Sequence, residues 1–491
     1  MKRFGVLAAL AYVILAAVSV WYGNLNQDEG WYLYAANLVR EGKMLYRDFF
    51  FTQGPLLPLM YSPFAAAWRD FGLLGGRVVT AAIGLMGLLF AAGLARLAAP
   101  EERKNAASAI AFTVLGCNLY HVYYLAIPKT YALASMFAMA GFFLFFFALR
   151  RQGARRGIFL FSSGLCLALA AGARVSLGVM LAVCGAWLLF SMRRNGLGVV
   201  WFSLGGLLAL AAIYGPYLPL QGFREAMAYH ASRGGFDPVF AVGSLSRFVR
   251  WYYPVLILLG LALCPQQPAG KRRQTVRESP DLWILPLAFL AVFAVQMAAP
   301  FPYEDYQVPV MGLLAVFAAV RVAAMPHSAL LALGLAWSAS FGSPLLEKWT
   351  IASQDRLWPV KREKSELAQL REMAGVIEVL DPGGKELLTQ DTYLAIETGR
   401  KVPRGLEMGP FSMLGDKQWK ELLENAPCEI AALSGYTFAI VPPQCTERPL
   451  EKQMEYWNIL KKRYNVVLRE DSFGQNATPL MVLMRKKETE Q

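Results

Sequence analysis

Asp28 and Glu29 stand side by side just past the first apolar run, and a carboxylate at that depth is placed for proton transfer at a membrane surface. Acid groups held there can act on a substrate whose tail stays in lipid. The pair opens the stretch DEGWYLYAANLVREGKMLYRDFFFTQGPLLPLMYSP, residues 28–63. An aromatic amphipathic segment follows, then a Tyr46-Arg47-Asp48 turn and a second segment punctuated by prolines. Only the run from Leu56 to Met60 is strongly apolar, so this region is too short in hydrophobic length to cross a bilayer. It is expected to lie on the membrane surface.

Other ionisable residues mark the same boundary. Arg174 interrupts the apolar stretch ALAAGARVSLGVM, where an arginine costs roughly 2.5–3.5 kcal/mol at mid-bilayer and less near the interface. Lys129 lies in HVYYLAIPKTYAL at the outer end of another span. Either cation can snorkel to headgroups or face an anion. Glu304 and Asp305, in PYEDYQVP, are candidate further acids, and His230 and Arg233 belong to a long outer loop, YHASRGGFDP, read as substrate-facing. Arg47 has two alternative partners, Asp48 or a phosphate. The aromatic series Trp31, Tyr32, Tyr34, Phe49, Phe50 and Phe51 reads as an interfacial belt. His121, His230 and His327 are too scattered for a metal site, and no cysteine cluster has zinc spacing. The sequence therefore assigns no metal ligands and no cofactor, and leaves open whether a divalent metal assists. Cys428 and Cys445 lie in the polar C-terminal part, where an oxidising compartment would join them; a bridge of that loop size is worth about 3 kcal/mol in the chain-entropy model.

The elements that must position these residues follow from hydropathy. Of 491 residues 56% are hydrophobic and only 17% charged, far too apolar for a soluble chain of this size. Eleven candidate spans fall near 4–22, 72–98, 106–126, 131–149, 157–174, 176–191, 197–215, 248–264, 281–299, 308–324 and 327–345. Lys2-Arg3, Arg103-Lys104, Arg150 to Arg156, Arg193-Arg194 and Lys271-Arg272-Arg273 then all share one side, which the basic-loop rule makes cytoplasmic together with the N-terminus. The net charge of +13 is this topology signal, and a nucleic-acid partner is excluded. The apolar N-terminus reads as a retained first span rather than a cleaved signal. The expected division is a membrane domain over 1–345, with its first outer loop at 23–71, and a small α/β domain over 346–491 on the outer face. Helices are expected at KREKSELAQLREMAGVIEVL and LEKQMEYWNILKKRY, and strands at YTFAIV, NVVLRE and PLMVLM. No glycine-rich nucleotide loop is present.

An inside N-terminus, a first outer loop opening with Asp-Glu, a surface-lying aromatic segment and ten further spans resemble the polyprenyl-phosphate-sugar-dependent glycosyltransferases of the GT-C fold. These include the protein O-mannosyltransferases and the aminoarabinose transferase of lipid A. DEGWYLYAANLV followed by YRDFFFTQGPLLPLMYSP carries the likeness, which covers roughly residues 1–345. The resemblance implies a sugar donor on a polyprenyl phosphate, a lipid, glycan or protein acceptor, and a bacterial inner membrane. It implies that Asp28 is the general base of an inverting transfer, with Glu29 as its neighbour raising its pKa or orienting the acceptor. Arg174, at a turn corresponding to one near the lipid phosphate, and Lys129 and Arg47 are the cations it points to. Several relatives carry a second acid near the start of the fourth span; this chain has none between Asn105 and Arg150. Two rival readings are a transporter or flippase, which the lack of repeats and of midplane charges disfavours, and a non-catalytic cell-envelope assembly protein.

Overall fold

The computed structural model describes residues 2–191, 197–231, 235–264, 280–342, 364–412, 414–434, 450–475 and 478–487. It divides into two compact units: Met1–Ser19 with Thr80–Pro216 and Arg233–Lys361, and Val20–Val79 with Tyr217–Ser232 and Arg362–Gln491. The loop expected at 23–71 thus groups with the C-terminal residues rather than with the spans, which differs from the division at residue 345. The reason is polar contact: buried side chains of the C-terminal part bind backbone groups of the loop, as detailed below.

This is a multi-pass helical membrane protein. Among the described residues seven helices are long and apolar enough to cross a membrane: Phe4–Tyr22, Leu73–Ala98, Thr130–Leu149, Gly153–Ala173, Leu197–Tyr214, Pro280–Met297 and Glu304–Val322. Lys104–Gly116 and Leu119–Ala126, bent by 75° against each other, raise the number to eight if counted as one span. Val175–Phe190 and Ser328–Phe341 are shorter apolar helices. The expected span at 248–264 falls on the second half of Pro238–Leu263, whose first half carries Arg247 and Arg250, and the last expected span runs beyond residue 342, outside the described residues. The expected number of eleven exceeds the seven or eight helices long and apolar enough to cross. The basic pairs at 193–194 and 271–273 lie outside the described residues.

Helices of the first unit approach closely where glycine permits it. A Cβ on Gly164 would stand 2.1 Å from the Phe202 carbonyl oxygen, and one on Gly205 would stand 2.0 Å from that of Phe161. Helix Gly153–Ala173 therefore packs backbone to backbone on Leu197–Tyr214, the small-residue mode of membrane helices. The bend at Cys117-Asn118 has a local cause. Asn118 caps the second helix by accepting from the Tyr120 and His121 amides, and its own amide donates to the Trp251 carbonyl at 2.9 Å.

In the second unit, helix α1 (Lys2–Tyr22) hands over its last residues to a short link, then helix α2 spans Gln27–Arg40. Short helices follow at Leu56–Tyr61 and Ala65–Phe71. The C-terminal part contributes helices Glu366–Leu380, Thr392–Thr398, Asp416–Asn425 and Leu450–Arg463. Its sheet is antiparallel, in the order β1 (Ile430–Ser434), β3 (Thr478–Arg485), β2 (Tyr464–Phe473), with Ala432 opposite Val482 and Val466 opposite Leu483. β1 is buried along its whole length, whereas β2 is an edge strand with two register shifts and a charged Arg469-Glu470-Asp471 run. Bulges and charge are what keep such an edge from pairing further. Two expected helices and the two last expected strands are present; the strand at YTFAIV lies outside the described residues.

Candidate functional site

Helix α2 starts where it does because Asn26 is a complete cap. Its backbone is extended, its side chain accepts from the Asp28 N–H at 3.0 Å, and its own N–H donates to Glu29 Oε1 at 2.9 Å. This is a capping box, and it puts two acids in the first turn, where the helix dipole favours them. The two acids then part company. Asp28 stays half-exposed, while Glu29 is fully buried.

Arg77, from helix Leu73–Ala98, explains the burial. Its Nε donates to Glu29 Oε2 at 2.7 Å and its Nη2 to Glu29 Oε1 at 2.7 Å. The remaining N–H groups donate to the carbonyls of Val20 (3.1 Å), Gly23 (2.9 Å) and Asn24 (2.9 Å). All five guanidinium donors are used, which is the condition for tolerating a fully buried ion pair. One side chain thus ties the end of α1, the link and the first turn of α2. Glu29 is expected as a neighbour that raises the Asp28 pKa or orients the acceptor; its carboxylate is bound by Arg77 and the Asn26 amide, which ties it to the fold.

Gly30 completes the motif for a steric reason. A Cβ there would lie 2.1 Å from the Tyr393 backbone nitrogen and 2.6 Å from the Thr392 carbonyl carbon. The C-terminal part reaches α2 at this point. The aromatic residues that follow are core, not belt: Trp31, Tyr32, Tyr34, Phe49 and Phe51 are all buried, and Phe50 is half-buried. Trp31 stacks on Tyr32 and meets Phe411 edge-on, and the Tyr34 hydroxyl accepts from the Val402 N–H at 3.0 Å. The expected interfacial belt gives way because protein, rather than lipid, covers this face. Burial pushes the Tyr34 phenol well above its usual pKa.

Beyond α2 the chain turns sharply. Tyr46 adopts a left-handed conformation (φ 65°), a strained choice for a residue with a side chain. Its ring sits edge-on between Tyr217 and Phe223, at 5.2 and 5.1 Å. Gly222 is required beneath it, since a Cβ would lie 2.2 Å from the Tyr46 carbonyl oxygen. Arg47 resolves its alternatives in favour of Asp48, donating from Nε at 3.0 Å and from Nη2 at 2.9 Å. That pair holds the Asp48 carboxyl down at about 2. A cavity of about 800 Å³ opens beside it, lined by Tyr46, Arg47, Asp48, Glu225, Glu386, Arg404, Glu407 and Glu421 among others. With Arg47 neutralised and acids in excess, this cavity is unsuited to a phosphate. His230 falls on helix Gln221–Ala231, its side chain lying outside the described groups, and Arg233 lies outside the described residues.

In the first unit three expected residues come together. Lys129 caps helix Thr130–Leu149, an unfavourable end for a cation, and its Nζ is balanced by Asp305 Oδ2 at 3.0 Å. The Tyr131 hydroxyl donates to the same oxygen at 2.8 Å. Arg174 sits at the end of helix Gly153–Ala173 with its guanidinium 4.0 Å from the centre of the Tyr306 ring and 5.1 Å from that of Tyr131. Lys129 lies 4.9 Å over the Tyr131 ring as well. Both cations thus lie against the Tyr131 ring, with Asp305 bound to Lys129 and to the Tyr131 hydroxyl. Glu304 turns the other way, to Arg247 Nε at 3.0 Å. Among the described residues no group of three or more His, Cys, Asp or Glu side chains is placed to hold a metal ion. Cys428 is buried, its thiol pushed up to about 12; Cys445 lies outside the described residues.

Sequence reading missed Arg77, Tyr131, Tyr306 and Arg247. Arg77 had a readable signal, a lone arginine inside the otherwise apolar LLGGRVVTAAIG. The tyrosines had none, because aromatic residues are everywhere in such a chain.

The architecture is that of the GT-C fold. The structure of ArnT from Cupriavidus metallidurans bound to undecaprenyl phosphate superposes with a TM-score of 0.64 at 13% identity, covering 99% of this chain and 98% of that one. The apo structure of ArnT from the same organism gives 0.60 at 12% identity, with 98% of each chain covered. At this identity the likeness is one of fold. No family model and no curated protein sequence matches the chain.

Proposed function

We propose that this protein is a membrane glycosyltransferase that moves a sugar from a polyprenyl-phosphate carrier to a hydroxyl on a lipid, glycan or protein acceptor. Asp28 is the general base. As the acceptor oxygen attacks the anomeric carbon, Asp28 takes its proton; the bond from that carbon to the phosphate oxygen breaks, and the electron pair leaves on polyprenyl phosphate. Attack opposite the leaving group inverts the anomeric centre. The observation that carries this reading is the division of labour in the first turn of α2. Glu29 is fully buried against Arg77, while Asp28, on the same helix end, is only partly buried. A base whose approach is fixed before substrate arrives spends less of the barrier on orientation.

Arg174 and Lys129 stabilise the charge that develops on the departing phosphate. Asp305 orients Lys129, and the Tyr306 ring packs against the Arg174 guanidinium. The fold supports the donor class, since the ArnT structure was obtained with undecaprenyl phosphate bound. The alternation of basic loops supports a cytoplasmic N-terminus and an outer C-terminal part in a bacterial inner membrane.

Purified protein offered undecaprenyl-phosphate-linked radiolabelled sugars should release undecaprenyl phosphate, and Asp28→Asn should lose turnover by about 10³-fold or more while still binding undecaprenyl phosphate. Near-normal transfer by Asp28→Asn would sink the assignment of the base.

A further inference from the structure

The backbone that presents Asp28 is held from two ends of the sequence. Five consecutive amides, from Leu25 to Glu29, all have acceptors. Three acceptors are local: Glu29 Oε1 for Asn26, Asn26 Oδ1 for Asp28, and the Asn26 carbonyl for Glu29. The other two are not. The Leu25 N–H donates to Glu366 Oε2 at 2.6 Å, across 341 positions, and the Gln27 N–H donates to Gln475 Oε1 at 2.8 Å, across 448.

Both distant acceptors are themselves fixed. Glu366 is buried, at the start of a helix whose cap, Ser365, accepts from the Ala368 N–H at 3.2 Å. Gln475 stands in the turn between β2 and β3 beside Gly474, whose φ of 70° and close approach to the Tyr393 hydroxyl leave no room for a side chain. Tyr393 in turn abuts Gly30. The C-terminal part therefore grips the backbone on both sides of Asp28, at residue 25 just ahead of α2 and at residues 27 and 30 within it.

We infer that Glu366 and Gln475 are positioning residues for Asp28, so that the C-terminal part takes a share in the reaction without touching the substrate. The inference rests on Asp28 being the base. Releasing either amide frees the N-terminal turn of α2 to rotate, and a displacement of about 1 Å at a reacting group can cost on the order of 10²-fold in rate. A merely structural role would instead lower yield or melting temperature and leave the rate per folded molecule alone.

Full-length Gln475→Ala, Glu366→Ala, Glu366→Gln and Asp28→Asn, together with Gln475→Ala in the Asp28→Asn background, form the test. Amide hydrogen exchange over residues 25–29 reads the grip. Transfer from undecaprenyl-phosphate-linked sugars reads the rate, and undecaprenyl phosphate itself is the binding probe. Gln475→Ala and Glu366→Ala should raise exchange in that segment and lower transfer by roughly 10- to 100-fold, with probe affinity within about twofold. Glu366→Gln keeps a carbonyl acceptor and should stay within about threefold of the parent. Added to Asp28→Asn, Gln475→Ala should cause no further loss, as expected when one residue acts through the other.

Unchanged exchange, or raised exchange with transfer unaffected, overturns the inference. So does a loss of transfer matched by an equal loss of probe affinity, or an additive loss in the Asp28→Asn background. Near-normal transfer by Asp28→Asn alone would overturn the base assignment instead, and the exchange data would then report the grip by themselves. A parent protein that transfers no sugar from any undecaprenyl-phosphate donor overturns both.

Discussion

Substituting Arg77 should separate charge from geometry in the support of α2. The native guanidinium makes five hydrogen bonds, two to Glu29 and three to the carbonyls of Val20, Gly23 and Asn24. Lysine keeps the charge but has three donors, so at least two bonds are lost, each worth about 0.5–1.5 kcal/mol net. Arg77→Lys should therefore cost about 1–3 kcal/mol. Arg77→Met strands Glu29 as an uncompensated buried acid, a loss of about 3–5 kcal/mol, and leaves three carbonyls without donors as well. Removing both charges in Glu29→Met/Arg77→Met lifts the first penalty and leaves the second, so the double variant should fall between the native protein and Arg77→Met. Thermal unfolding of detergent-solubilised protein, followed by intrinsic fluorescence, gives the order: native, Arg77→Lys, the double variant near it, and Arg77→Met last. Equal melting temperatures for Arg77→Lys and Arg77→Met would refute the five-donor argument. A double variant no better than Arg77→Met would refute the buried-charge argument.

Three further outcomes follow from other parts of the molecule. Arg174→Ala should weaken binding of undecaprenyl phosphate about tenfold or more, with Arg174→Lys much milder because it keeps a cation near the Tyr306 ring; unchanged affinity and turnover in Arg174→Ala would mean that this arginine only snorkels. Asp391 is buried with its carboxyl accepting from the Tyr393 hydroxyl at 3.0 Å, and burial pushes it up to about 6 from 3.8. The folded state then binds more protons than the unfolded one between those values, so this group's stabilising contribution is present below about 4 and lost as pH rises through about 6. Asp391→Asn should flatten that slope in pH-dependent unfolding, and an unaltered slope would assign it to another group. Cys428 and Cys445 should resist thiol labelling in denatured, unreduced protein isolated after export, and two reactive thiols there would exclude the bridge and cast the outer placement of the C-terminal part in doubt.

What the sequence made legible was whatever depends on neighbours in the chain. The Asp-Glu pair could be singled out because it stands directly behind an apolar run, although the Asn26 cap that sets the two acids in one helical turn was not read. The multi-pass helical architecture could be read because hydrocarbon thickness imposes a length on apolar helices. Lys129 and Arg174 could be singled out because charge is rare in such surroundings. Their meeting at Tyr131 could not, since it depends on how three separate elements pack.

The roles of Glu29 and the aromatic series were misjudged for one common reason. Both were read as facing solvent or lipid, because nothing near them in sequence could cover them. Their cover comes from Arg77, 48 positions beyond Glu29, and from Thr392, Tyr393, Val402 and Phe411, hundreds of positions away. A small residue such as Gly30, between an acid pair and a run of aromatics, is the trace such cover leaves in a sequence. It says that another backbone comes within touching distance, without saying which one. The lone arginine in LLGGRVVTAAIG leaves the complementary trace, a buried cation that must find its acid. Taken together, those two local oddities already require that the acid pair be split, one member facing inward to pair and the other left at the surface. Asp28, the member left partly exposed, is the one proposed above as the base.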